Sequence, residues 1–358
     1  MNLEPLLHHL GVLIGFDTQN PPRDLDEGSP IWSYISASLG SEFDVRVIDH
    51  DLGRVSYLAV RGTPDLLFNV HLDTVPVLSG AKFDPLVMTE SKGRVYGRGA
   101  CDIKGAAACL LHLAQTSSVP MALLFTTDEE GAQGCCVRRF TESGHSDPYR
   151  QVIVAEPTGC LAQTRHRGYL SVTGEFCGVS GHSSEARALS DSAIHRFSRW
   201  SAAALEESAR LAGTGHLSCF NIGTVKGGVK SNVIADRLEV HWSARLPPGS
   251  DTAEFFGDIS AQPGGEHAQW AVPFSGPPLP DRAEGEREAL DFAMARGLQM
   301  GDGLDFWTEA SLFSASGTPA LVLGPGHIEQ AHVVDEWVSV DQLERAFHLY
   351  ANLVGAHA

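Results

Sequence analysis

Two histidines and five carboxylates fall where apolar, strand-like runs of this sequence turn polar. His71-Leu72-Asp73 closes the run that begins at Leu66, and residues two apart on an extended chain face the same way, so His71 and Asp73 project together. Asp102 follows the loop Gly97-Arg98-Gly99-Ala100-Cys101 and opens a helical segment. Glu129 and Glu130 end the run Ala122–Thr127, Glu156 ends Val152–Ala155, and His332 lies just past Leu321–Gly324 and the turn Gly324-Pro325-Gly326. Imidazole with carboxylate is a borderline-hard donor set that suits Zn²⁺, Co²⁺ or Mn²⁺ and does not suit Cu(I) or an iron–sulfur cluster. The donors are too many for one zinc ion. A carboxylate shared by two ions about 3.5–4 Å apart accounts for the number, and such a pair acidifies water and polarises an amide oxygen.

A single acid at a strand end is usually a solvated cap, and the chain has 44 acidic residues to scatter, so the joint pattern carries the argument. His8, His9, His50, His112 and His145 lie outside it, and Cys101, inside the loop, reads as a small buried thiol.

The elements that must position these residues are strands separated by helical patterns. Residues 3–16 carry a helical stripe of Leu6, Leu7, Leu10, Leu13 and Ile14. Val45–Ile48, Ser56–Arg61, Leu66–His71, Met121–Thr127, Gln151–Ala155 and Pro319–Leu323 read as strands, and Ala106–Ala114 as a helix of small residues. This order predicts an α/β domain with a mostly parallel sheet and helices on both faces, its functional groups at the carboxyl ends of strands. The middle differs. Tyr169–Phe176 alternates like a half-buried strand, Asp191–Ala212 reads as one long amphipathic helix, and Phe220–Lys226 and Arg237–Leu246 as further strands. We expect a smaller α+β domain there, inserted at 166–275, with 1–165 and 276–358 forming the first domain and Gly276-Pro277-Pro278-Leu279-Pro280 marking the return.

A chain of 358 residues is long for one domain. Its formal net charge of −18 repels phosphate backbones and anionic lipid, so nucleic-acid and membrane partners are not expected. Seven cysteines, an odd number without a C-x-x-C pair, argue against a disulfide framework and a thiolate zinc site. No basic-then-apolar leader follows Met1-Asn2-Leu3-Glu4, and no stretch of about 18 apolar residues occurs. A reducing cytoplasm is the expected compartment.

Five segments, in order along the chain, resemble the signature series of the M20 metallopeptidase family. They are His71-Leu72-Asp73-Thr74-Val75-Pro76, Gly97–Gly105, Thr127-Asp128-Glu129-Glu130-Gly131, Ala155-Glu156-Pro157-Thr158 and Ala331–Glu336. The resemblance implies a di-zinc exopeptidase-like catalytic domain with a lid or dimerisation insert. It implies that His71 and Glu156 hold one Zn²⁺, Glu130 and His332 the other, and that Asp102 bridges, with Co²⁺ or Mn²⁺ able to substitute. Asp73 would orient His71 by accepting its second ring N–H. Glu129 would be the general base. Glutamate at position 156 replaces the aspartate of some members.

The same resemblance extends into the insert. His182, in Gly181-His182-Ser183-Ser184, would reach the active site of the opposite subunit and stabilise the oxyanion, which implies a homodimer built through the insert. Asn232 and Arg245 match positions that bind a substrate α-carboxylate, a task that suits the planar guanidinium fork. Gly324 and Gly326 would offer backbone N–H groups to the substrate, and Glu309 matches an acidic position of the deacetylase branch.

The expected function is therefore hydrolysis of the acetyl amide of an N-acetyl amino acid in arginine biosynthesis. Acetylcitrulline is favoured over acetylornithine: Asp305–Phe313 resembles the acetylcitrulline branch, and Phe306-Trp307 suits a neutral tail. Only Glu309 and Glu329 offer themselves as carboxylates for an ammonium. The alternatives are succinyl-diaminopimelate desuccinylation, a di- or aminopeptidase, and an inactive binding protein on the same fold, the last opposed by the intact Glu129 and ligand set. No G-x-S-x-G elbow occurs to support a serine hydrolase.

Overall fold

The computed structural model describes residues 2–22, 25–50, 54–131, 135–213 and 215–356. The chain divides into two compact units, one of Met1–Arg165, Arg282–Gly303 and Thr308–Ala358, the other of His166–Asp281 with Leu304–Trp307.

The first unit is built on a six-stranded sheet in the order Asp44–Asp49, Val55–Arg61, Met121–Thr126, Leu66–His71, Gln151–Val154, Ala320–Val322. Its last three pairings are parallel and its first two antiparallel. The antiparallel edge was not legible in the sequence, because an isolated alternating strand carries no mark of its neighbour's direction. All six residues of Leu66–His71 and of Met121–Thr126 are buried, the continuous burial of strands covered on both faces. Met121, Leu123 and Phe125 join Leu10, Leu13 and Leu110 in one core beneath helices Glu4–Gly15 and Lys104–Thr116. On the pleat the intervening Ala122 and Leu124, also buried, point to the other face. Helices Cys135–Glu142 and Ala310–Ala315 meet edge-to-face through Phe140 and Phe313. Helices Pro30–Leu39, Ala283–Ala295 and Val340–Val354 complete the unit, with a small sheet of Thr89–Ser91, Arg94–Tyr96 and Trp337–Ser339.

The second unit is an antiparallel sheet in the order Cys219–Gly227, Arg237–Leu246, Gly168–Cys177, Ala268–Gly276. Gly168–Cys177 alternates strictly between buried and half-buried residues, the signature of a sheet covered on one face. Helices Ala193–Gly213 and Thr252–Ser260 cover that face, and buried Trp200 donates from Nε1 to the Ile259 carbonyl at 2.9 Å. The expected single helix over 191–212 is two: Ala188–Asp191 ends before Ser192 leaves helical geometry, and Ala193–Gly213 follows. The fourth strand was not expected. It runs to Gly276, and residues 277–281 and Leu304–Trp307 stay with this unit.

Candidate metal centre

Five of the residues singled out by type and spacing come together in the first unit, each delivered by a strand end or the loop beyond it. His71 is the last residue of the central strand Leu66–His71, and Glu156 lies just past the adjacent parallel strand Gln151–Val154. Asp102 precedes helix Lys104–Thr116. Glu130 follows the strand Met121–Thr126, and His332 lies beyond Ala320–Val322 with a backbone φ of 56°. A non-glycine residue in that left-handed region is uncommon and is often found at functional sites.

Their donor atoms form two groups, His71–Asp102–Glu156 and Asp102–Glu130–His332, in each of which the atoms lie within 4.8 Å of one another. His71 Nε2 is 2.9 Å from Asp102 Oδ1 and 3.3 Å from Glu156 Oε1. His332 Nε2 is 3.2 Å from Asp102 Oδ2 and 3.0 Å from Glu130 Oε1. Asp102 thus turns one oxygen to each imidazole. His71 is 1% exposed, and Asp102 and Glu156 are also buried, whereas His332 is exposed.

The electrostatics follow from this crowding. Burial opposes charge on His71, but Glu156, Asp102 and Asp73 outweigh it and hold its pKa well above the ordinary value. Hydrogen bonds to Asp102 and Glu130 push His332 up to about 11. Burial and the charge of Asp102 push Glu130 up to about 7. Burial also raises Glu129, as do Glu130, Glu156 and Asp102 against the pull of His71. The cluster draws positive charge onto its imidazoles, and a divalent cation meets that demand with the ligand types such ions prefer. The residues present fit the metal pair.

Glu129 stands beside the two groups and belongs to neither. It and Glu130 are half-buried, and both are held from the backbone by Asp73, whose carboxylate accepts their N–H groups at 3.3 and 3.0 Å. This differs from the expected tie between the Asp73 carboxylate and the ring of His71. His71 Nδ1 is 2.9 Å from the Asp73 backbone carbonyl, while the carboxylate is at 3.6 Å, beyond hydrogen-bond range. Asn20 completes the arrangement by donating from Nδ2 to Asp73 at 3.1 Å and to the Thr127 carbonyl at 3.2 Å. Sequence reasoning missed Asn20. Its only signal was the turn-forming Asn20-Pro21-Pro22, far along the chain from the loop it holds.

The other expected substrate contacts fare unevenly. The N–H of Gly324 donates to Thr158 Oγ1 at 3.1 Å and that of Gly326 to Gln342 Oε1 at 2.9 Å, so the structure commits both donors to the protein itself. Gly324 is instead a close-approach position, where a Cβ would lie 2.2 Å from the Ala155 carbonyl oxygen. Glu309 is 0% exposed, accepts from Thr126 Oγ1 at 3.0 Å, and is pushed up to about 8 by burial and the nearby Asp128. Trp307 is buried against Phe274, with ring centroids 4.9 Å apart, and is a packing residue of the second unit.

Within that second unit, His182 and Asn232 are neighbours. The strand Gly181–His182 pairs with Val233–Ile234, and the Ser183 N–H donates to the Asn232 carbonyl at 3.2 Å. His182 is exposed and its Nδ1 lies 2.7 Å from Ser184 Oγ. Arg245 is half-buried, with its guanidinium stacked 3.9 Å from the ring centroid of Tyr169 on the adjacent strand.

Residues 67–356 match the model of peptidase family M20/M25/M40. The chain belongs to this family. It is a metal-dependent amidohydrolase. It is 44% identical over 353 residues to an N-acetyl-L-citrulline deacetylase of Xanthomonas campestris pv. campestris, covering 96% of this chain and 95% of that one. It is 31% identical to an acetylornithine deacetylase of Myxococcus xanthus, covering 89% and 88% of the two chains. Among solved structures, the M20 metallo-carboxypeptidase Sso-CP2 from Sulfolobus solfataricus shares the fold with a TM-score of 0.75 at 15% identity, covering 98% of each chain. A dinuclear metal-binding M20 peptidase from Bacillus subtilis shares it with a TM-score of 0.65 at 14% identity, covering 98% of this chain and 96% of that one. Among the described residues no helix is long and apolar enough to cross a membrane.

Proposed function

We propose that this protein is an N-acetyl amino acid deacetylase of arginine biosynthesis that hydrolyses N-acetyl-L-citrulline in preference to N-acetyl-L-ornithine, releasing the free amino acid and acetate. The observation that carries this reading is the 44% identity, nearly end to end, to a relative named for acetylcitrulline, against 31% for one named for acetylornithine. Burial supports the choice of tail. An ammonium in a closed site needs a counter-charge. Of the two candidate carboxylates, Glu309 is fully buried on Thr126 and Glu329 is exposed on the surface of the first unit.

Two Zn²⁺ ions, replaceable by Co²⁺ or Mn²⁺, are the proposed cofactors, one held by His71, Asp102 and Glu156 and the other by Asp102, Glu130 and His332. Bound there, the pair supplies Lewis acidity toward the amide and makes water a better nucleophile at neutral pH. Glu129 takes the proton from the attacking water and returns it to the leaving amine nitrogen. It lies outside both ligand groups, which leaves its carboxylate free for that proton transfer. Asp73 and Asn20 hold the loop that carries Glu129 and Glu130. Arg245 and Asn232 receive the substrate α-carboxylate, and the Tyr169 ring fixes the plane of the guanidinium. The second unit serves as lid and dimerisation domain, and His182 completes the partner subunit's site as an oxyanion donor. The seven cysteines are free thiols, which fits a cytoplasmic enzyme.

The test is kcat/KM for N-acetyl-L-citrulline, N-acetyl-L-ornithine and N-succinyl-diaminopimelate at matched metal and pH. A preference for acetylcitrulline is expected. A ratio of about tenfold (about 1.4 kcal/mol) in favour of acetylornithine overturns the choice of tail, and turnover of the succinyl substrate alone overturns the acyl group.

A further inference from the structure

One ion pair of the first unit lies outside both ligand groups and is shut away from water. Arg98 is 2% exposed and Glu336 3% exposed, and Arg98 Nη1 donates to Glu336 Oε2 at 2.7 Å. A buried pair alone returns little net stability, because desolvating both charges costs about what their attraction gains. What distinguishes this pair is the backbone gathered around it. Glu336 Oε1 accepts the N–H groups of Cys101 at 2.9 Å and Asp102 at 3.0 Å. Its Oε2 also accepts the N–H of Gly99 at 2.9 Å, and its backbone carbonyl accepts that of Gly97 at 3.1 Å. One residue therefore ties down the loop that ends in Asp102, and binds the N–H of Asp102 itself.

Arg98 extends the hub in two more directions. Its Nη2 donates to the carbonyl of Pro76, in the segment that begins at His71, at 3.3 Å. The same nitrogen donates to the carbonyl of Val333, next to His332, at 3.4 Å. Three chain segments that each deliver a donor to the cluster thus meet at one buried charge pair.

We propose that Glu336 is a positioning residue for the shared ligand Asp102 and, through Arg98, for His71 and His332, so that it sets the affinity for both ions at once. This rests on the two-cation reading of the cluster. The chemistry requires a carboxylate. Four donors converge on two side-chain oxygens, and a carboxylate is acceptor-only. Glutamine of the same shape would turn an NH₂ toward N–H donors and leave the charge of Arg98 uncompensated.

The experiment uses the full-length chain, metal-free wild type, Glu336→Gln and Arg98→Lys, titrated with Co²⁺ at a temperature where circular dichroism shows each to be folded. The readouts are the visible Co²⁺ spectrum and the metal retained after dialysis. Wild type is expected to take up about two Co²⁺ per chain. Glu336→Gln is expected to lose affinity for both ions by about ten- to a hundredfold and to change the spectrum even at saturating Co²⁺, the scale typical of groups that orient metal ligands. Arg98→Lys keeps the charge and the backbone bonds of Glu336 but loses the planar fork. It is expected to change the same readouts less, and it tests the proposal should Glu336→Gln not fold. A merely structural role lowers thermal stability and leaves affinity and spectrum alone, so a folded variant with wild-type Co²⁺ binding overturns the proposal. Loss of one ion only, with the other held as in wild type, also overturns it, because the effect must pass through the shared Asp102. A wild type that takes up no Co²⁺ sinks the two-cation reading itself.

Discussion

The carboxylate of Asp73 accepts the backbone N–H of Glu130 at 3.0 Å, so an aspartate two residues past the central strand holds the loop that delivers both a candidate metal ligand and the candidate base. Asp73→Ala leaves the N–H groups of Glu129 and Glu130, both in part-buried bonds, without that acceptor. We expect kcat to fall about ten- to a hundredfold, with metal lost first from the Glu130–His332 group. Asn20→Ala removes one donor to the same carboxylate and is expected to shift both quantities less, in the same direction. Metal content and kcat of the two variants check this. An Asp73→Ala enzyme with full metal and wild-type turnover removes the loop-holding role.

Chelation is expected to abolish activity, and Zn²⁺ or Co²⁺ to restore it, because water is made a good nucleophile only by ions held in the two ligand groups. Activity assayed against metal content in excess chelator is the measurement. Full turnover with no metal bound contradicts the centre described above.

Glu129→Gln preserves size and removes the base. Since Glu129 lies outside both ligand groups, metal content should not change, while kcat should fall by at least about a hundredfold. If metal is lost instead, the roles of Glu129 and Glu130 are exchanged.

His182→Ala is expected to be inactive alone and to regain activity when allowed to exchange subunits with Glu129→Gln. One site of the mixed dimer then combines an intact base with an intact histidine. Exchange proven by labelled subunits, with no recovery of turnover, removes His182 from the partner's site.

What the sequence determined by itself was the catalytic unit's strand series and the donor set. Both are written locally: a strand covered on two faces is a continuous apolar run, and a ligand at its end is a polar residue after that run. His71, Glu130 and Glu156 could be named because each follows such a run, Asp102 because it closes a glycine-containing loop before a helix, and His332 because it lies just past the last strand and its Gly-Pro-Gly turn. What only the tertiary structure decided was which backbone groups those side chains serve. Asp73 gives its carboxylate to Glu129 and Glu130 and its backbone carbonyl to the ring of His71, Gly324 and Gly326 give their N–H groups to Thr158 and Gln342, and Glu309 is sealed under Thr126. Asn20 and Glu336 act on loops more than a hundred residues away, with sequence separations of 107 to Thr127 and 234 to Asp102. A hydrogen bond is set by a few tenths of an ångström and by which donors compete for one acceptor, and neither is fixed until distant segments have packed.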